Sequence, residues 1–134
     1  MVIKLLVLLA LLLSPIAFGS NASGGVGGEL EEWTGHIVTV ADKTYYVIPS
    51  SLVARKVVSV HLACQTSGTV TVDMKIGGTN ITTCNGISVT STPGTTTCST
   101  GATSSLAAAG VLTLVTRSNS SCLDLSFDVK TVRQ

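Results

Sequence analysis

Charge is scarce in this chain. Of its 134 residues, 11% are charged and 4% aromatic, and only three are proline. Eight basic and seven acidic side chains leave a formal charge of +1, and removal of a segment holding Lys4 brings the balance to zero. Such a chain has no electrostatic footprint for nucleic acid or for an anionic membrane surface. The sequence holds no G-x-S-x-G elbow, no HExxH pair and no phosphate-binding glycine loop, so the commonest hydrolytic and nucleotide-handling chemistries have no motif to stand on. It has no CxxC pair, and His36 and His61 are not spaced as ligands with the cysteines, so neither a metal nor a cofactor is read from it. No stretch sustains a 3.6-residue apolar period, which excludes helical bundles and alternating strand–helix folds.

One long apolar run exists, at the start. In MVIKLLVLLALLLSPIAFG, Lys4 is the basic end, Leu5 to Leu13 the apolar core, Ser14-Pro15 the break, and Ala17-Phe18-Gly19 a small-x-small cleavage signal. The uncharged stretch is short of the ~20 residues a spanning helix needs. Residues 1–19 are read as a secretory signal peptide, with no membrane span once it is removed. Ser20 to Gly28 is a flexible Gly/Ser-rich terminus, with a solvated acidic run at Glu29, Glu31 and Glu32 after it.

What the remainder has in quantity is Thr, Ser, Val and Gly. These residues suit pleated, half-buried surfaces and the turns between them. In VVSVHLACQTSGTVTVDMKI (Val57 to Ile76), Val58, Val60 and Leu62 alternate with Ser59, His61 and Ala63, and Val70, Val72, Met74 and Ile76 with Thr71, Asp73 and Lys75. Gln65-Thr66-Ser67-Gly68 between them reads as a hairpin loop. Further strands are expected at Trp33–Val40, Thr44–Ile48, Asn80–Cys84, Ile87–Thr92, a polar edge at Thr95–Thr100, Val111–Thr116 and Cys122–Val132. A helical turn is expected over Ser105–Ala109. In the last strand Leu123, Leu125, Phe127 and Val129 alternate with Asp124, Ser126, Asp128 and Lys130. Eight or nine short antiparallel strands at about ten-residue spacing predict an all-β fold: one β-sandwich over 29–134, jelly-roll-like.

Four cysteines, Cys64, Cys84, Cys98 and Cys122, follow the signal into a compartment where disulfides persist. Three pairings exist and the sequence does not choose among them. The pairing expected here is Cys64–Cys122 and Cys84–Cys98, the first tying a central strand to the start of the last, the second clipping Ile87–Thr92 to its neighbours. A triad can be written from His61, Asp73 and any of many serines, but His61 and Asp73 also read simply as members of the wet faces of their strands. Asp124 and Asp128, two pleats apart, stand roughly 13–14 Å apart along one strand, too far to share a glycosidic bond. Tyr45 and Tyr46 are adjacent, so one faces in and one out. Trp33 and Tyr46 are the candidate ligand contacts if the module binds glycans. Asn80 and Asn119 head sequons at expected turns and are candidate glycosylation sites.

The order of signals WTG, DKTYYV, SGTVTVDMKIGGTNIT, GISVTST, AAAG before VLTLVT, and SSCLDLSFDVKTVR resembles small β-sandwich modules of phage structural proteins, fibre and head-decoration components among them. The resemblance covers about three quarters of the chain and rests on turns and alternation. It implies a non-enzymatic virion or surface module, one that forms homo-oligomers or sits in a larger assembly. The secretory signal and the four cysteines depart from that pattern and point to a secreted protein or to a virion surface reached through a membrane. An extracellular carbohydrate-binding or adhesion module is the alternative.

Overall fold

The computed structural model describes residues 28–98 and 102–134. The expected signal peptide and nearly all of the Gly/Ser-rich stretch after it lie outside the described residues. Among the described residues there are ten strands: β1 (Leu30–Ile37), β2 (Thr44–Ile48), β3 (Arg55–Cys64), β4 (Thr69–Ile76), β5 (Thr79–Asn80), β6 (Ile87–Val89), β7 (Gly94–Thr97), β8 (Ser105–Leu106), β9 (Leu112–Ser120) and β10 (Leu125–Arg133). They form two antiparallel sheets. One runs β1-β10-β3-β7 with β8 also on β3, and the other runs β2-β9-β4-β5 with β6 also on β4. We call them the β1 sheet and the β2 sheet.

The pairing has a simple origin. β1 pairs with β10, β2 with β9, β3 with β7 and β8, and β4 with β5 and β6. The first half of the chain thus lies antiparallel to the second, as one long hairpin whose tip is Gly77-Gly78. Both tip glycines have positive φ (55° and 87°), the two-residue turn whose twist matches its strands and which Gly-Gly adopts without strain. The hairpin is rolled up so that β10 also meets β3 and β9 also meets β4. That order is the jelly roll, two Greek keys in two sheets.

The rolled-up path corrects the hairpin reading of Gln65–Gly68. β3 and β4 do not pair; they belong to opposite sheets, and the loop is an arch between them. The reason is where the loop's polar groups go. Gln65 N–H donates to Asp124 O (3.0 Å), Thr66 Oγ1 accepts from Leu123 N–H (2.9 Å), and Gly68, at φ 152°, packs directly on the Ser121 backbone, where a Cβ would collide. The arch is bonded to the segment entering β10, not to itself. Its strands then face each other across the core, Val60 and Leu62 on one side, Val70, Val72 and Met74 on the other, with Leu125 and Val129 beside the first set and Leu112 and Leu114 beside the second.

Several further readings shift by a residue or more. Lys130 pairs with Ser59 but Thr131 with Val57, so a bulge at Val58 reverses the alternation and buries Val57 instead of Val58. Leu123 is half exposed, because Asp124 takes φ 52° and β10 starts only at Leu125. The expected strand Asn80–Cys84 is limited to Thr79–Asn80, and the helical turn is a 3₁₀ turn at Ala102–Ser104, with β8 where a helix was read.

The buried set is aliphatic: twelve large side chains, from Ile48 to Val129, are fully enclosed and none is aromatic. Each contributes roughly 1.5–3 kcal/mol by leaving water. Two covalent bonds pin the layers together. Cys64, closing β3, is bonded to Cys122, just past β9 in the opposite sheet, and Cys84, between β5 and β6, is bonded to Cys98, just past β7 in the β1 sheet. Their sequence separations are 58 and 14. Loop-closure entropy then assigns about 4 kcal/mol to the first and about 3 to the second. Cys64→Ser/Cys122→Ser should therefore lower unfolding free energy in urea by about 4 kcal/mol, and Cys84→Ser/Cys98→Ser by about 3. Equal losses, or a larger loss for the short loop, would contradict this account.

Candidate functional site

The aromatic side chains do not form a platform. Trp33 lies on β1 opposite Val129 and points inward, half-buried against the core. Its Nε1–H donates to Thr131 Oγ1 (3.1 Å), and the Arg55 guanidinium lies 5.2 Å from its ring centroid. Arg55 is itself buried. It pairs with Glu31 and donates from Nε to Ser51 Oγ (3.0 Å). Alternation puts Glu31 on the inner face of β1, beside Trp33, and the fold satisfies it there with a cation. Tyr45 turns inward on β2, its hydroxyl accepting from Ala41 N–H (3.1 Å) and its ring under Lys43 Nζ at 5.0 Å. Tyr46 is the outward neighbour, 69% exposed, on the β2 sheet. The two candidate glycan contacts therefore sit on different sheets, one facing the core and one facing solvent, and share no surface.

The paper triad also separates. His61 stands on the outer face of the β1 sheet, with Nδ1 2.7 Å from Thr95 Oγ1 of β7 and with Asp128 opposite it in the β3–β10 ladder. Asp73 stands on the outer face of the β2 sheet, away from His61. Nor is Asp73 a solvated charge, as the alternation implies. It is buried, with Arg117 Nε donating to Oδ2 (2.8 Å), Arg117 Nη2 to Oδ1 (3.3 Å) and Gly86 N–H to Oδ1 (2.6 Å). The Arg117 hydrogen bonds, then the Gly86 N–H, hold its carboxyl below the ordinary 3.8 against the opposing effect of burial. Sequence gave no hint of this pair. Arg117 is 44 residues away and pairs with Thr71 at the last regular position before a bulge in β9. On the β1 sheet, Lys130 is raised by its bond to Glu32 (3.0 Å), and His36 lies 3.5 Å from Asp124. These are pairs across neighbouring strands on an open face. Among the described residues no group of three or more His, Cys, Asp or Glu is arranged to hold a metal.

The two sequon asparagines differ. Asn80 is exposed beside the hairpin tip. Asn119 is half-buried and its side chain is fully used: Nδ2 donates to Val40 O (2.9 Å) and Cys122 O (3.3 Å), and Oδ1 accepts from Cys122 N–H (3.0 Å). With Asp42, whose carboxylate accepts from Ser118 and Asn119 N–H (3.0 and 3.1 Å), it locks the corner between β1 and β2 onto the end of β9. A glycan on Asn119 would occupy one of the two N–H groups that this corner uses.

What remains is the perimeter. β1, β2 and β7 are edge strands, with β5, β6 and β8 as short pieces on the far side. Beside β7 a cleft of about 100 Å³ opens between the sheets, lined by Leu62, Ile87, Val89, Thr92, Thr95 and Thr96 among others. Among the described residues no helix is long and apolar enough to cross a membrane.

Two outcomes follow from these geometries. The Asp73 carboxyl is held below its unfolded value, so its contribution is present above about pH 4 and is lost as pH falls through the folded-state value. Asp73→Asn should cost about 1–3 kcal/mol at pH 7 and flatten the acid limb of stability against pH, measured by urea unfolding from pH 7 to 2.5. An unchanged acid limb would remove Asp73 as its source. Asn119→Ala should cost about 2 kcal/mol, whereas Asn80→Ala should fall within about 0.5 of wild type by the same measurement.

Comparison with known proteins bears on the fold. No protein-family model matches the chain, and no curated protein matches it. A chain of the solved cyanophage Pam1 capsid asymmetric unit superposes on 83% of this chain and 89% of its own length, with TM-score 0.51 and 12% sequence identity. At that identity the likeness is one of fold.

Proposed function

We propose that this chain is a non-enzymatic structural module of a virion surface, built to hold its shape outside the cell and to be held by neighbouring proteins. The observation that carries the reading is the jelly-roll order itself, in a chain that superposes over most of its length on a phage capsid chain. Three features support it. The near-neutral charge offers no repulsion between copies. Two disulfides staple the layers, as suits a small protein in an oxidising place. The side chains that chemistry would need are dispersed over two outer faces or spent on structural bonds, as Asp73 and Asn119 are. In this reading the signal peptide delivers the module to the surface where it assembles, and Trp33 and Tyr46, which share no face, do not together offer a platform to a glycan.

The test is physical association. Particles released by the source culture, purified on a density gradient and analysed by mass spectrometry, should contain this chain at stoichiometric level, and electron microscopy of the purified full chain should show oligomers or coated particles. A chain absent from particles, and monomeric throughout the micromolar range, would overturn the proposal.

A further inference from the structure

The perimeter of the sandwich is unevenly guarded. β1 carries Glu31 pointing inward and Glu32 outward, and charges on an edge oppose addition of another strand. β2 has five residues, a bulge between Tyr46 and Ile48, Lys43 before it and Pro49 after it. β5, β6 and β8 have two or three residues each. β7 is short too, at four residues, and Pro93 precedes it, but it carries no charge and no bulge. Three β-branched threonines follow Gly94, and among the described residues the strand pairs only with β3.

The direction of its backbone groups follows from one bond. Cys98 N–H donates to Val58 O (2.8 Å), so in an antiparallel ladder Thr96 also turns its N–H and C=O toward β3, opposite Val60. Thr95 and Thr97 turn theirs outward. Both are exposed, while Thr96 is half-buried over the cleft whose floor is Leu62, Ile87 and Val89. The strand therefore offers two donors and two acceptors at the spacing of a sheet ladder, with a small recess of mixed polarity alongside.

We propose that the occupant of this edge is β7 of a second copy, paired antiparallel about a two-fold axis at Thr96. The inference rests on the assembly reading above and names its contact. In that register Thr95 of one copy faces Thr97 of the other and exchanges both backbone bonds with it, and the symmetry repeats the pair, giving four hydrogen bonds. Thr96 meets its own counterpart over the two clefts. A two-fold contact sets each residue against the same strand, so any charge there would meet a like charge. Thr-Thr pairs carry none and favour each other across strands. The same operation on β1 would bring two acidic edges together. Pairing at β7 joins two β1 sheets into one continuous sheet across the dimer.

Hydrogen–deuterium exchange on the full oxidised chain, read over a hundredfold range of concentration and combined with sedimentation velocity, tests this. Association should slow exchange at the Thr95 and Thr97 amides while the outward amide of Thr34 on β1 is unaffected. Thr97→Pro removes an N–H that the chain's own ladder does not use, and should weaken association at least tenfold without moving the melting temperature by more than a few degrees. Thr95→Lys/Thr97→Lys, which sets like charges opposite one another, should do the same if the proline variant fails to fold. Thr34→Pro should leave association intact. Association that leaves the Thr95 and Thr97 amides at their dilute-limit exchange rates, or that survives both β7 variants, overturns the pairing while the assembly reading stands. A chain that never self-associates overturns the pairing as well, and its presence in particles then decides the assembly reading separately.

Discussion

Two sheets, each apolar on one side, have only each other to cover those sides. That contact, an aliphatic layer from Val57, Val60, Leu62, Leu125 and Val129 against Val70, Val72, Met74, Leu112 and Leu114, is the constraint from which the rest follows. An interface of Val, Leu and Met is forgiving of lateral sliding, because few large, uniquely shaped side chains key one sheet to the other. Aromatics supply that keying in many sandwiches, and here they stand at the margins: Trp33 and Tyr45 half-buried, Tyr46 outside. The two inter-sheet disulfides and the corner held by Asp42 and Asn119 do instead what aromatic interdigitation would do. They fix the offset of the layers with bonds at their periphery.

The same constraint explains the buried polar groups. Alternation in β1 delivers Glu31 to the inner face whether or not the core wants it, and Arg55, the first residue of β3, reaches it on the same sheet from across β10. The fold neutralises the two against each other, with Trp33 and Ser51 completing the donors' environment. On the outer face of the β2 sheet, Asp73 is enclosed because Arg117 reaches back along the strands to cover it. Both carboxylates are engaged in structural pairs, Asp73 accepting three hydrogen bonds from Arg117 Nε, Arg117 Nη2 and Gly86 N–H.

What was legible in the sequence divides along the range of the interaction that determines it. Strand existence, the two-residue tip and the outward set around His61 are decided by neighbours two to four residues apart, and alternation shows them directly. The jelly-roll order was legible only as a class, since period-two patterns do not say which strand is the partner. The arch at Gln65–Gly68 shows the limit. Its composition fits a hairpin, and it becomes an arch because Leu123 and Asp124, almost sixty residues on, take its hydrogen bonds. The burial of Val57 over Val58 depends on a bulge opposite Lys130–Thr131 that leaves no mark in the local pattern. The Asp73–Arg117 and Glu31–Arg55 pairs were invisible for the same reason, and Trp33 and Tyr46 were grouped by residue type when only topology assigns them to different surfaces.

The long-hairpin topology also orders how such a chain can assemble itself. Apart from the turn at Gly77-Gly78 and its adjoining pieces, the pairings join residues far apart in sequence, and β1 with β10 spans nearly the whole described chain. Entropy favours closing from the tip outward. Bringing Cys84 to Cys98 closes 14 residues and Cys64 to Cys122 closes 58, a difference of about 1.3 kcal/mol in loop entropy alone. The short loop contains both β6 and β7, so its closure holds one strand for each sheet and sets the spacing between the layers at that side before the distant strands arrive. β9 and then β10 can add onto β4 and β3 as onto a template, and the Cys64–Cys122 bond forms when β3 and the start of β10 are already adjacent. On loop entropy alone β1, whose partner β10 lies farthest along the chain, is the strand expected to dock last; its free edge stays outside, and the acidic side chains there keep such an edge from pairing with the wrong strand.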